Sequence, residues 1–437
     1  MHHWLRRLTG ISAIALLSVV AGLAQTASTA PTAKKKQYKD QQEYTLYDSA
    51  SKETDANKKL QILNTWKEKY PESDFKEERL KLLLDTYQKL GQAAKMVDTA
   101  KELLTIDPND VTALYWITFL APSSGGISAD ALATATKAAN GLLNAQKPAG
   151  TSDDAWKTAK GTFDAIAYKT LGWVAMVQKN NANAETNFKK SLQIDPKTGE
   201  VAYWLGQVLL ARSIAEKKPE MQSEALFYFA RAAAYDGPGA LNPDGRKKVD
   251  DYLTKAYTTL HGDTSGLADV KALAKANATP PADFKIKTAA EIANEKEEEL
   301  KKTNPELALW LQIKGQLLGQ DGQSYFDSSM KGAAVPKLKG WLVKANPAVK
   351  SKELLLSMEG KDQAPDVTLK LVGADGTTAS PLTGKPELGD EIEFDGVGDS
   401  FTKEPSLMVT FTVDKSKLTG LKEEKVVPVH HPVHKKK

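Results

Sequence analysis

One stretch of 34 residues, Ala165–Thr198, constrains the fold of this chain more than any other. It contains two helical patterns separated by a polar turn. Gly172 and Ala184 are small where two antiparallel helices must approach closely, and Phe188 is large enough to fill the seam between them. Pro196 ends the second helix, because proline has no N–H to donate and clashes with the preceding turn. One such hairpin cannot bury its apolar face alone, so the stretch predicts further hairpins on both sides.

The spacing within this stretch resembles the tetratricopeptide repeat. Tyr168-x2-Leu171-Gly172-x2-Ala175 stands where that family has W-x2-L-G-x2-Y, and Ala184-x3-Phe188 followed by Pro196 stands where it has A-x3-F and P. The resemblance implies an α-solenoid of helical hairpins, mainly α in class, whose concave groove binds protein or peptide partners.

Weaker copies of the pattern flank this stretch. Residues 40–73 end at a proline in the same register, and Glu77–Asp110 closes with the same Ile-Asp-Pro ending. After residue 198, Gly206 and Ala225-x3-Phe229 repeat the seam with seven extra residues, which we assign to a lengthened turn. We expect five to six hairpins over residues 40–281, followed by capping or linker helices over 282–333.

The two ends of the chain differ from its middle. Residues 1–24 have two arginines, an apolar run and small residues before Ala24, a pattern typical of a cleavable signal peptide; an uncleaved anchor is the alternative. Residues 25–39 are expected to form a flexible leader, and residues 422–437 a disordered basic tail rich in His, Pro and Lys. We therefore expect a periplasmic or secreted protein without a membrane span after signal removal.

Composition changes after Lys331, where five β-rich runs appear between turn residues. They predict a small five-stranded β-barrel or sandwich over residues 334–421, similar to an oligonucleotide/oligosaccharide-binding fold in strand number and length. The runs are Leu338–Lys344, Glu353–Met358, Val367–Val372, Glu391–Phe394 and Leu407–Val413.

Nothing in the sequence assembles a catalytic site. There is no phosphate-binding loop, no G-x-S-x-G and no H-E-x-x-H, and the absence of cysteine excludes disulfides and thiolate metal sites. His430, His431 and His434 suit opportunistic metal chelation rather than a built site. The acidic run Glu295–Glu299 is continuous, as on a solvated helix face. We predict no enzyme activity, no cofactor and no metal site.

The resemblance also suggests which side chains bind a partner. In tetratricopeptide repeats, positions 2, 5, 9, 12 and 13 of the first helix face the groove. Seven residues of this chain match such positions: Lys81, Asp85, Lys169, Trp173, Met176, Tyr203 and Gln207. The clamp that grips a C-terminal carboxylate in this family uses lysine and asparagine there, and no asparagine matches here. Trp173 and Tyr203 either offer flat apolar anchors to a peptide or pack between neighbouring hairpins.

These observations predict a non-enzymatic exported scaffold for protein–protein interaction, with a protein or peptide partner held in the groove. The formal net charge of +4 does not demand a nucleic-acid or membrane partner. Two alternatives stay open. One is binding of cell-wall carbohydrate by the β-domain, with the repeats as a spacer, and the other is an enzyme whose site carries no recognisable motif.

Overall fold

The computed structural model describes residues 35–148 and 150–424. It divides into two compact units at Thr288/Ala289. The predicted signal peptide, the predicted leader up to residue 34 and the tail from residue 425 lie outside the described residues. Within the described ranges, no helix is both long enough and apolar enough to cross a membrane.

Twelve α-helices follow one another in the described part of the first unit. Consecutive helices among the first eleven pack against each other, and the twelfth packs against the tenth, so that the first ten form five hairpins. They are α1 Gln41–Lys52, α2 Ala56–Lys69, α3 Lys76–Lys89, α4 Ala93–Ile106, α5 Val111–Ser124, α6 Ala129–Leu143, α7 Asp153–Val177, α8 Asn181–Ile194, α9 Gly199–Ala215, α10 Met221–Ala234, α11 Pro243–His261 and α12 Leu267–Ala276.

Hairpin four, formed by α7 and α8, shows why the pattern needs small residues. A Cβ atom added to Gly172 would lie 2.5 Å from Cδ1 of Phe188, so only glycine lets this ring reach helix α7. The hydroxyl of Ser191 donates a hydrogen bond of 2.9 Å to the carbonyl of Ala165. The small–large seam predicted from the sequence is therefore a direct contact between the two helices.

Hairpin five, formed by α9 and α10, repeats the seam with Gly206 against Phe229. The seven extra residues do not mainly form a longer turn, as predicted. Helix α9 instead continues to Ala215, well past Gly206, and only residues 216–220 connect it to α10. The sequence 207–215 contains no glycine or proline that would end the helix earlier.

The second unit begins with helices α13 Ala289–Thr303, α14 Pro305–Leu318 and α15 Gly322–Tyr325, the last continued by a π-helical turn, Phe326–Met330. Eight strands follow in the described residues. They are β1 Leu338–Asn346, β2 Glu353–Ser357, β3 Val367–Val372, β4 Lys385–Pro386, β5 Glu391–Phe394, β6 Val397–Thr402, β7 Met408–Asp414 and β8 Glu423–Glu424.

Six of these strands form one sheet in the order β5-β1-β2-β3-β7-β6, with β3 and β7 parallel; β4 and β8 form a separate pair. Strands β5 and β6 lie at opposite edges, yet only Asp395 and Gly396 separate them in sequence. The sheet must therefore curl so that its two edges approach each other. This is the small curled β-domain predicted from the sequence, with β6 as one strand more than expected.

Strand β6 escaped prediction because its sequence, VGDSFT, has no alternating apolar pattern. Gly398 explains part of this: a Cβ atom there would lie 2.3 Å from the carbonyl oxygen of Met330. The chain needs a glycine at this point to pass the preceding turn, so β6 forms through backbone pairing with β7 rather than through its own side-chain pattern.

Helix α14 belongs to the core of the second unit. Its Trp310, Ile313 and Leu317 are buried together with the inward side chains of the sheet. The indole N–H of Trp310 donates a hydrogen bond of 3.1 Å to the carboxylate of Asp366, which also accepts from the backbone N–H of Met358. The expected capping or linker segment 282–333 therefore contains a helix that completes the β-domain.

Candidate functional site

The seven side chains predicted to face a groove lie on the first helices of three hairpins. Lys81 and Asp85 are on α3, and Tyr203 and Gln207 are on α9. The remaining three are on α7. The array therefore places them on helices of the same kind, as the repeat pattern predicts, and their surroundings decide how much of each is available to a ligand.

Lys81 connects hairpin two to hairpin three. Its Nζ atom lies 2.7 Å from a carboxylate oxygen of Glu77 and 3.2 Å from one of Asp110, which caps the N-terminus of α5. Burial opposes the charge on Lys81, but hydrogen bonds and the charges of Glu77 and Asp110 outweigh burial and raise its pKa. The lysine stays charged at neutral pH and is one-third exposed.

Lys169 repeats this arrangement at the same position of hairpin four. Its Nζ atom lies 2.5 Å from a carboxylate oxygen of Glu200, in the first turn of α9, and 5.4 Å from the ring centroid of Trp204. In both hairpins, a lysine thus reaches a carboxylate at the start of the next first helix, where the helix dipole also favours negative charge. These two lysines join neighbouring hairpins rather than standing free for a ligand.

Asp85 is the one carboxylate among the seven residues, and 44% of its side chain is exposed. It lies 2.9 Å from Nζ of Lys89, one helical turn along α3. It also faces Lys59 of α2, whose Nζ is 4.0 Å away. Burial lowers the pKa of Lys59, although the charge of Asp85 opposes this shift.

Trp173 and Tyr203 are each only 6% exposed and belong to the same apolar core. The hydroxyl of Tyr203 accepts a hydrogen bond of 2.9 Å from Nε2 of Gln207, and burial raises the pKa of this phenol. Met176 is half-buried and packs against the same core. The sequence left two roles open for the rings of Trp173 and Tyr203, and their burial favours packing between hairpins over contact with a peptide. Met176 and Gln207 are more accessible.

Three lysines of the β-domain have carboxylate partners. Lys337, just before β1, and Lys339 of β1 lie 2.8 and 2.9 Å from Glu393 and Glu391 of the neighbouring strand β5. Lys370 likewise lies 2.8 Å from a carboxylate oxygen. Pairs of opposite charge between strands are an ordinary feature of sheets, so the charges of these three lysines are compensated within the domain.

Sequence reasoning missed the residues that connect the charged side chains of α3 to the predicted leader. Nζ of Lys36, in the predicted leader, lies 3.3 Å from Glu77 and 2.7 Å from Glu78. Because Glu77 also holds Lys81, a continuous series of charges runs from the leader to the start of α5. Low-complexity composition around residues 25–38 gave no signal for it, since the partners are about forty residues away.

No protein-family model and no curated protein matches this sequence. Several solved structures, among them the following two, are similar to part of the chain. One is the assembly chaperone of RpL4 (Acl4), residues 1–338, with 15% identity over 59% of this chain and 99% of that chain, and a TM-score of 0.35. The other is TTC0263, a thermophilic TPR protein in Thermus thermophilus, with 14% identity over 49% of this chain and 95% of that chain, and a TM-score of 0.23. Both similarities are low, and the array described above rests on this chain's own contacts.

Proposed function

We propose that this protein is an exported, non-enzymatic scaffold that binds a protein or peptide partner through the first helices of its array. The observation that carries the proposal is the placement of partly exposed side chains on the first helices of hairpins two, four and five, above a closely packed core. Asp85 on α3, Met176 on α7 and Gln207 on α9 mark this surface.

The physical argument is pre-organisation. Ion pairs between hairpins, such as Lys81 with Asp110 and Lys169 with Glu200, hold neighbouring first helices in register. A surface that is already ordered loses less conformational entropy on binding than one that must fold around its ligand. A stack of hairpins can therefore present several weak contacts at defined spacings to one extended partner.

Export is supported by the sequence of residues 1–24, with its two arginines and short apolar run. The absence of cysteine is compatible with an oxidising compartment. We place the interaction in the cell envelope for this reason.

Site-specific photo-crosslinking in living cells tests both parts of the proposal. A photoreactive amino acid is placed at Asp85 or at Gln207, on first helices, and at Lys137, an exposed residue of the second helix α6, as a matched control. We expect both first-helix positions to capture the same protein in the periplasmic fraction, and Lys137 to capture none of it. Equal capture from all three positions, or no capture from the first-helix positions, contradicts the interaction surface. Recovery only from the cytoplasm contradicts export.

A further inference from the structure

The end of the predicted leader lies on the first two hairpins. Residues 36–39, called the arm below, have no helical or strand structure and precede α1 directly. The ring of Tyr38 stacks on that of Phe75, with centroids 4.0 Å apart and planes 9° from parallel. The rings of Tyr44 and Tyr47 of α1 also contact the ring of Tyr38, with centroid distances of 5.3 and 5.7 Å. The arm is thus anchored by an aromatic residue in an aromatic cradle, in contrast to the flexible leader predicted for this stretch.

Charge and backbone contacts fix the register of the arm around this anchor. Lys36, two residues before the tyrosine, places Nζ 2.7 Å from a carboxylate oxygen of Glu78 and 3.3 Å from one of Glu77. Between them, the backbone N–H of Gln37 donates a hydrogen bond of 3.2 Å to Asp74. An aromatic anchor, a lysine at fixed spacing and a backbone donor between them are the contacts through which an extended peptide is recognised.

We propose that the surface under the arm is a binding site for an extended segment of a partner protein that carries a lysine two residues before a tyrosine. The arm occupies this site within its own chain and competes with the partner. The surface, called the arm site, consists of Tyr44, Tyr47, Asp74, Phe75, Glu77 and Glu78. Three of its six members are acidic, which matches a basic segment and disfavours an acidic one.

The arm does not use all of the surface beside it. An open cleft of 530 Å³ lies between the arm and the start of α1, lined by the arm itself together with Asp40, Gln41 and Tyr44. Tyr44 is 44% exposed. A partner segment longer than the arm can cover more of this ring once it has replaced the arm, so it can gain contacts that the arm does not make.

Competition within one chain sets the size of the expected effect. A tethered segment acts at an effective concentration on the order of millimolar. A partner peptide therefore binds only the fraction of molecules whose arm has left, and its apparent affinity falls by that fraction. Weakening the arm should raise the affinity for the same peptide added from outside.

The test uses the full chain and a fluorescent peptide with the sequence of residues 35–40. The arm-released variant carries Lys36→Glu and Tyr38→Ala. By fluorescence anisotropy, we expect this variant to bind the peptide about tenfold more tightly than the unmodified chain does, or better. A peptide with alanine in place of Tyr38 should not bind measurably to either chain. The variant Lys35→Glu, which makes the same charge change at an exposed neighbour, is the matched control and should behave like the unmodified chain.

A third variant separates recognition from arm release. Adding Phe75→Ala to the arm-released variant removes the stacking partner of the tyrosine and should abolish peptide binding. Equal binding by the released variant and the unmodified chain overturns the proposal, as does equal binding of the two peptides. If the arm-released double variant fails to fold, Lys36→Glu alone is tested in the same way. An unmodified chain that is dimeric by light scattering and a variant that is monomeric would identify exchange of arms between two copies, which also overturns it.

This inference rests on the proposed function, because it names the partner chemistry at one end of the same array. The two can fail separately. If the arm-released variant does not bind the peptide more tightly, crosslinking from Gln207 is unaffected. If no partner is crosslinked in cells, the binding of a purified peptide at the arm site is unaffected.

Discussion

Hairpins four and five have the same glycine–phenylalanine contact between their helices. They differ in the turn that joins the helices and in the residue that follows the phenylalanine by two positions. Gly172 faces Phe188 in hairpin four, and Gly206 faces Phe229 in hairpin five. The turn after α7 comprises residues 178–180, whereas helix α9 runs on and the turn after it comprises residues 216–220. The comparison shows that the array tolerates a change of hairpin length as long as the small–large contact keeps its place.

The far ends of the two seams also differ. Two residues after the phenylalanine, hairpin four has Lys190, which is exposed and lies with Nζ 5.0 Å from the ring centroid of Tyr168. Hairpin five has Arg231 at the same position, and this side chain is buried. One position of the repeat therefore serves a surface contact in one hairpin and a buried polar contact in the next.

Arg231 connects the ends of three second helices. Its Nη1 donates hydrogen bonds of 3.1 and 2.6 Å to the carbonyls of Ala274 and Lys275 at the end of α12. Its Nη2 donates one of 3.1 Å to the carbonyl of Pro196, just after α8. A cation is favoured at helix C-termini because the last carbonyls have no partner within the helix. Burial lowers the pKa of the guanidinium without removing its charge at neutral pH.

The largest effect is expected at this position. Arg231→Ala should lower the free energy of opening of α12 by about 2–4 kcal/mol, because the buried carbonyl of Ala274 and the partly buried carbonyl of Lys275 lose their donor. Lys190→Ala, the matched change in hairpin four, should cost less than about 1 kcal/mol. Hydrogen exchange followed by mass spectrometry measures both locally. Arg231→Lys should recover little, since an ammonium cannot reach carbonyls on both sides at once. Equal protection in the two alanine variants would show that the two hairpins do not differ in this way.

A smaller difference in stability is expected between glycine-to-alanine variants of the two hairpins. An added Cβ atom would lie 2.5 Å from Phe188 at Gly172 but 3.0 Å from Phe229 at Gly206. Gly172→Ala should destabilise hairpin four by about 1–2 kcal/mol, because overpacking outweighs the better helix propensity of alanine. Gly206→Ala should cost less, under about 1 kcal/mol.

The control for this prediction lies in the same helix as Gly172. An added Cβ atom at Gly161 meets nothing within 4 Å, so Gly161→Ala should stabilise by about 0.5–1 kcal/mol through helix propensity alone. Hydrogen exchange of α7 and α8 reports all three variants. Stabilisation by Gly172→Ala would mean that Phe188 can move aside, and the seam would then be less closely packed than its distances indicate.

The sequence predicts these hairpins well because their pattern is local. The positions of Gly172, Ala184 and Phe188 follow from helical periodicity alone, and so do the first helices that carry Lys81 and Lys169. The partners of those lysines, Asp110 and Glu200, belong to the next hairpin. Repeat position identifies which residues lie on the surface, but not which of them are already paired.

Longer contacts were out of reach of sequence reasoning for the same reason. Arg231 bonds carbonyls more than thirty residues away in either direction, and backbone carbonyls leave no trace in sequence. Lys36 and Tyr38 lie in a segment whose composition is typical of flexible chain, and their partners at the start of α3 lie about forty residues further along the chain. The burial of Trp173 and Tyr203 likewise depends on the neighbouring hairpins, which periodicity does not place at ångström precision.

The smallest energetic effect concerns the end of the extended helix α9, where hairpin five differs most from hairpin four. Hydrogen bonds from Arg212, and then from Lys218, lower the pKa of Glu216 from 4.5 to about 2. Because the folded-state pKa lies below that of the unfolded chain, this pair supports folding above pH 4.5 and loses its contribution as the pH falls towards 2. Glu216 lies at the surface, where solvent screens the interaction, so the effect on overall stability is small. Carboxyl NMR titration should find a pKa of about 2 for Glu216. Arg212→Ala should return that pKa most of the way to 4.5, whereas Lys218→Ala should shift it less, in the order of the two causes. A pKa that stays near 2 in the Arg212→Ala variant would show that Arg212 does not hold this carboxylate, and that the longer hairpin has no ionic closure of its own.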